Sequence, residues 1–241
     1  RYGARIASID SRIGGEWSQP HWRRAGRTLK LSSFIVNEQT DAYDRSALTV
    51  AADLSQRLGK TSWFSYGLGV DAGRYTEYRF DPLTQTPITL DRDLAIVTLR
   101  GSAFMDRSND PLNPTTGYRL SVSAQPTAVT GEDTVMFLRT EGQASAYLPL
   151  QDGAKTVLAG RARIGSIIGG EELTVPSDRL FYSGGGGSVR GYSYQSINPR
   201  LPNNRPRGGL SLFETSIEVR RDIGEKFQAV ADKIVDWNKH G

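Results

Sequence analysis

Long stretches of strict apolar/polar alternation, abundant glycine and the lack of any helix-length apolar run point to an all-β fold, an antiparallel up-and-down transmembrane β-barrel. Glycine supplies 26 of the 241 residues, which suits tight turns and small outward positions better than long helices. The longest apolar runs, residues 94–97 among them, are four residues long, against the ~18 a membrane helix requires. With a mean hydropathy of −0.44 the chain is too polar for a helical membrane protein. A barrel escapes that test, because its strands alternate lipid-facing and lumen-facing residues.

Taken in order along the chain, strands are expected near 12–19 and 28–37, then where Leu48, Val50, Ala52 and Leu54 alternate with Thr49, Ala51, Asp53 and Ser55. Two more fall near 63–75 and 93–105. Tyr118, Leu120, Val122 and Ala124 then oppose Arg119, Ser121, Ser123 and Gln125, the two faces of one strand. Met136, Leu138, Thr140, Gly142, Ala144 and Ala146 oppose Arg139, Glu141, Gln143 and Ser145. Leu158, Gly160, Ala162 and Ile164 oppose Arg161 and Arg163, and Phe213, Thr215, Ile217 and Val219 oppose Glu214, Ser216, Glu218 and Arg220. That makes roughly nine strands over residues 1–223. Residues 224–241 differ: Phe227, Val230, Ala231 and Ile234 fall at helical spacing, so this tail reads as a short amphipathic helix or a poorly formed strand. Residues 1–4 carry no legible signal peptide, and the chain reads as internal to a longer one.

Two architectures produce such alternation. A soluble sandwich, the frame of a β-rich binding protein, uses strands of ~5–6 residues, whereas membrane strands run ~9–11 or longer. Segments 93–105, 134–148 and 209–222 sustain the pattern beyond that sandwich length. The apolar face is partly Gly, Ala and Thr, poor filler for a packed core but acceptable against lipid. Arg100, Arg139, Glu141, Arg161, Arg163, Glu214 and Glu218 on the other face suit a wet lumen with cross-strand charge pairs. Trp17, Trp22, Trp63, Tyr75, Tyr78, Phe181 and Tyr182 are expected at strand ends, as interfacial girdles.

Composition excludes several other classes. There is no cysteine, hence no disulfide framework or thiolate metal site. Thirty Lys+Arg against 26 Asp+Glu give a net charge of +4, too mild and too dispersed to indicate nucleic acid. From residue 169 to 209 the alternation stops, far longer than an ordinary hairpin loop and too aromatic for disorder. Starting at Gly184, Gly185 or Gly186, no register gives the dinucleotide spacing; the phosphate-loop Gly-Lys-Ser/Thr is absent; and Arg190 stands where a nucleophile elbow centred on Ser188 needs Gly. Two histidines, His21 and His240, exclude a zinc-protease helix and disfavour a His-dependent triad. Asp106, Asn109 and Asp110 miss the register of a calcium loop, with Gly117 at its twelfth position. No enzymatic activity, cofactor or metal is expected.

Within that long segment Val189-Arg190-Gly191-Tyr192, preceded by Phe181-Tyr182-Ser183-Gly184-Gly185, resembles the signature loop of the BamA/TamA superfamily of outer-membrane assembly factors, the bacterial surface antigens. The segment from Asp110 to Gly117 is similar to a turn before a barrel strand in that family, and Pro206-Arg207-Gly208-Gly209 with Ser216-Ile217-Glu218-Val219-Arg220 resembles the strand after the loop. The TamA autotransporter-assembly branch is the nearest. The resemblance implies the family's C-terminal barrel domain, incomplete at both ends, with the loop folded into the lumen. The Phe-x-Asp-x-Gly-like element of the family is unmatched, since Phe227 and Asp232 stand too far apart.

It further implies that Gly184, Gly185, Ser188, Val189, Arg190, Gly191 and Tyr192 form the lumenal loop tip. Arg190 would engage acidic groups such as Glu214 and Glu218, Gly191 would permit the turn after it, and Tyr192 would pack on the wall. The implied location is the outer membrane of a Gram-negative bacterium. The implied partners are outer-membrane lipid, unfolded outer-membrane or autotransporter client proteins and a periplasm-spanning partner protein. A two-partner-type secretion pore shares the signature and is the competing function.

Overall fold

The computed structural model describes residues 2–5, 10–81, 83–84, 86–151, 153, 155–185, 188–189, 191–224 and 227–236. Eleven strands follow one another: β1 (Tyr2–Arg5), β2 (Asp10–Pro20), β3 (Arg27–Gln39), β4 (Tyr43–Leu58), β5 (Ser62–Asp81), β6 (Thr86–Asp106), β7 (Gly117–Thr130), β8 (Thr134–Pro149), β9 (Thr156–Ile168), β10 (Ser211–Gly224) and β11 (Phe227–Asp236). They form one sheet in sequence order, antiparallel neighbour to neighbour. The nine strands expected from alternation are β2–β10.

Of the two readings of the tail, helix or strand, Phe227–Asp236 takes the strand, registered against Glu214–Gly224 with a slip between Asp222 and Gly224. Pairing there satisfies the backbone groups along the outer side of β10, which outweighs a helical spacing only four residues deep. The helical turn found among the described residues is instead the 3-10 turn Ser177–Arg179, inside the long loop.

Period two decides which way each side chain points. On β7, Tyr118, Leu120 and Val122 are exposed on the convex side, while Arg119, Ser121 and Ser123 turn inward and are partly covered. On β5 the outward row runs from Phe64 through Tyr66, Leu68 and Val70 to Ala72, eight residue steps, about 26 Å at ~3.3 Å per residue. That matches the ~25 Å apolar band of an outer-membrane barrel. Leu31, Ile35, Leu48, Val97, Leu99, Ile164 and Ile217 extend the same exposed apolar surface across the sheet. Among the described residues no second sheet covers it. None of the described helices is long and apolar enough to cross a membrane.

The concave side carries the charge. Lys30–Glu16 at 2.7 Å, Arg100–Asp53 at 2.7 Å, Arg119–Asp106 at 3.1 Å and Arg163–Glu141 at 2.9 Å all lie on inward positions. At the β6–β7 turn, Asp110 Oδ1 accepts the Leu112 and Asn113 N–H groups at 2.7 and 2.9 Å, and Arg220 of β10 donates across to the Pro114 carbonyl at 3.3 Å. The girdle expectation fails for Trp63, which shares the inward parity of β5 and lies 6.1 Å from the Phe104 ring, and for three covered aromatics: Tyr75 and Phe181 are fully buried against the inner wall, and Tyr182 packs near Tyr43 with ring centroids 6.5 Å apart. Those three face a covered lumen, where an aromatic ring buries more area than at an interface.

Leu68→Arg, in the middle of the outward row, is expected to destabilise the protein in lipid vesicles by ~2–4 kcal/mol, and inward Ser123→Arg by less than ~1 kcal/mol. Denaturant unfolding of both variants checks this; equal costs would mean the two faces do not meet different solvents.

Candidate functional site

Residues 169–210 connect β9 to β10 and fold back onto the concave wall. The contact is apolar at its centre. Val175, Leu180 and Phe181 of the loop pack with Tyr75 of β5, Leu94 and Ile96 of β6, Val129 of β7, Phe137 of β8, Ile167 of β9 and Leu212 of β10. Glycine admits the ring: a Cβ on Gly165 would stand 2.5 Å from the Phe181 ring. Phe181 and Gly209 exchange backbone hydrogen bonds at 2.9 and 3.0 Å, pinching the loop at its base.

Charged contacts flank that centre on two sides. Toward β4 and β5, Asp71 accepts from Arg179 of the loop at 2.6 Å and from the wall's own Thr49 and Arg45 at 2.6 and 3.1 Å. Arg45 also donates to Asp178 of the loop at 2.9 Å. Glu77, completely buried, accepts the backbone N–H of Ser177 and the guanidiniums of Arg79, at 3.3 Å, and Arg92. Arg79 donates on to the Val175 carbonyl. Burial works against the Arg179 cation, yet the Asp178 and Asp71 carboxylates outweigh it and raise its pKa above the ordinary value, so Arg179 stays charged.

Toward β8–β10, Glu214 is buried and accepts the hydroxyls of Ser183, at 2.7 Å, and Ser188, together with Arg163 at 3.3 Å. Arg163 and Arg139 share Glu141, at 2.9 and 3.2 Å. Arg139 also donates to the Arg179 carbonyl at 3.1 Å and lies 4.1 Å over the Phe181 ring, while Arg161 donates to the Ser188 carbonyl. Gly184 and Gly185 adopt φ of +106° and +94°, and a Cβ at Gly184 would strike the Ser193 carbonyl at 2.5 Å.

Of the residues singled out by sequence, Glu214, Arg139 and Arg161 meet the loop, Glu141 and Arg163 back them from the wall, Ser188 reaches Glu214, and Val189 is buried. Glu218 pairs with Arg220, and Arg100 pairs with Asp53 rather than with the loop. Gly191 takes a φ of +85°, whereas Tyr192 is 59% exposed and is not the wall-packing ring expected. Arg190 lies outside the described residues. The wall groups Asp71, Glu77, Arg45, Arg79 and Arg92 and the loop's Asp178 and Arg179 were not foreseen. Their inward parity was readable, but which of them share a level depends on the strand register.

A sheet greasy outside, charged inside and filled by one long loop is the construction of a transmembrane β-barrel with a lumenal plug. The profile described as the Omp85 superfamily domain matches residues 1–231, and the chain belongs to that superfamily. Its fold resembles the crystal structure of BamA from Haemophilus ducreyi lacking POTRA domains 1–3, with a TM-score of 0.79 at 18% identity, over 98% of this chain and 51% of that one. The chain therefore spans about half the length of that structure.

Gly165→Ala is expected to overpack the Phe181 seat and loosen the loop by ~1–3 kcal/mol. Gly160→Ala, whose Cβ meets nothing within 4 Å, should be neutral. Limited proteolysis of residues 169–210 in the folded protein distinguishes the two.

Proposed function

We propose that this chain supplies the barrel of an outer-membrane protein insertion and assembly factor of a Gram-negative bacterium, serving autotransporter-type clients. The observation that carries the reading is a loop bearing Val189-Arg190-Gly191-Tyr192, seated through Ser183 and Ser188 on the buried Glu214 of an Omp85-superfamily wall. Such a protein performs no bond chemistry. Lipid cannot satisfy a backbone N–H or C=O, so an unfolded client strand gains most by pairing with a strand edge that the barrel offers for a time. The loop's task is to hold the wall in shape while that happens.

In this reading Arg190 adds a permanent cation to the row formed by Glu214 and Glu218, two inward positions on β10. Outer-membrane lipid meets the exposed apolar belt. Unfolded clients and a periplasm-spanning partner protein are its protein partners, and no cofactor is needed.

In the full-length protein, Arg190→Ala is expected to lower surface display of an autotransporter passenger and to raise protease access to the loop; unchanged display and protection would refute that role for Arg190. In planar bilayers the protein should show small, erratic openings. Large steady conductance with secretion of one dedicated substrate would instead identify a two-partner-type pore.

A further inference from the structure

We propose that Asp71 and Glu77 of β5 form a second anchoring site for the loop, separate from the one at Glu214, so that the loop braces β4–β5 against β8–β10. The loop meets the two sites with different residues. Val175, Ser177, Asp178 and Arg179 reach β4–β5, while Ser183 and Ser188 reach β9–β10. Between them lie Leu180, Phe181 and Tyr182, with Phe181 wedged on Gly165 and clamped by its bonds to Gly209. This short, immobilised link lets each foot hold while the other lifts.

The wall is built for such local release. Asp71 keeps Arg45 and Thr49 when Arg179 departs, and Glu77 keeps Arg79 and Arg92 when Ser177 departs. Neither carboxylate is then left buried without a cation, the situation that makes breaking a buried ion pair so costly. On the other side Glu214 keeps Arg163, which Glu141 also holds. Asp71 and Arg179 are positioning residues in this scheme: they fix where the loop lies across the lumen and touch no client.

The inference rests on the reading of 169–210 as a lumenal plug, and its readout is the loop itself, so failure of client assembly would not bear on it. Amide hydrogen exchange is followed by mass spectrometry in the full-length protein in lipid vesicles. Arg179→Gln and Asp71→Asn are expected to speed exchange over residues 175–180 by roughly tenfold or more, the scale of a lost charge-assisted hydrogen bond. Residues 183–198 should stay protected in both. Glu214→Gln should give the reverse pattern, and Asp71→Glu should restore protection at 175–180. Should Asp71→Asn fail to show the heat-modifiable migration of a folded barrel, Arg179→Gln, on the loop side, decides alone. Release of both segments together by either class of variant, or no response at 175–180, would overturn the proposal.

Discussion

Carboxylates on the concave side of a membrane sheet must be neutralised wherever they lose water, and the loop is what removes the water. Asp71, Glu77 and Glu214 are each almost wholly buried, and an isolated ionised carboxylate in that position would cost several kcal/mol. The wall answers with guanidiniums from the same or adjacent strands: Arg45, Arg79 and Arg92 around β5, and Arg163 with Arg139 around β8 and β9. Arginine suits this work because it cannot lose its charge and can serve two acceptors at once, as Arg45 does for Asp71 and Asp178.

The apolar seat between the charged flanks explains what alternation revealed and what it concealed. Residues 94–97 form one of the two longest apolar runs in the chain, residues 135–138 being the other. Leu94 and Ile96 lie under the loop while Val97 faces outward. A strand covered on both sides loses its alternation and reads as continuously apolar. That run therefore marked the docking site, yet by itself it gave no hint of what would cover it. For the same reason Tyr75 and Phe181 were assigned to a girdle: an aromatic near a strand end has the same sequence context whether it meets headgroups or a folded-in loop.

Strand parity made the inward row of β8, β9 and β10 legible, because Arg139, Glu141, Arg161, Arg163 and Glu214 alternate cleanly with Leu138, Thr140, Ala162, Ile164 and Phe213. It did not pair them. Arg163 meets Glu214 through the registration of Glu214 opposite that very residue, and Thr49 meets Asp71 in the same way across β4 and β5. Register is a property of the whole ladder and of the turns that set it, so a single strand read alone is silent on its partners. The tail stayed open between helix and strand for the same reason, since a few residues at helical spacing competed with a pairing that only the neighbouring strand could supply.

A loop of this length pays conformational entropy for every residue it orders, and its internal bonds lower what docking itself must supply. Asn198 alone accepts the Ser183 N–H at 2.7 Å and donates to the carbonyls of Phe181 and Arg207 at 3.3 and 3.1 Å. Arg207 holds Glu172 with two bonds of 2.6 and 2.7 Å, drawing the two ends of the loop together. These ties narrow the conformations open to the loop, which lowers the entropy that docking must overcome. A loop so restricted can make a few strong contacts at separated points rather than many weak ones along its length. That is the distribution observed: one apolar seat under Phe181, with carboxylates receiving the loop on either side of it.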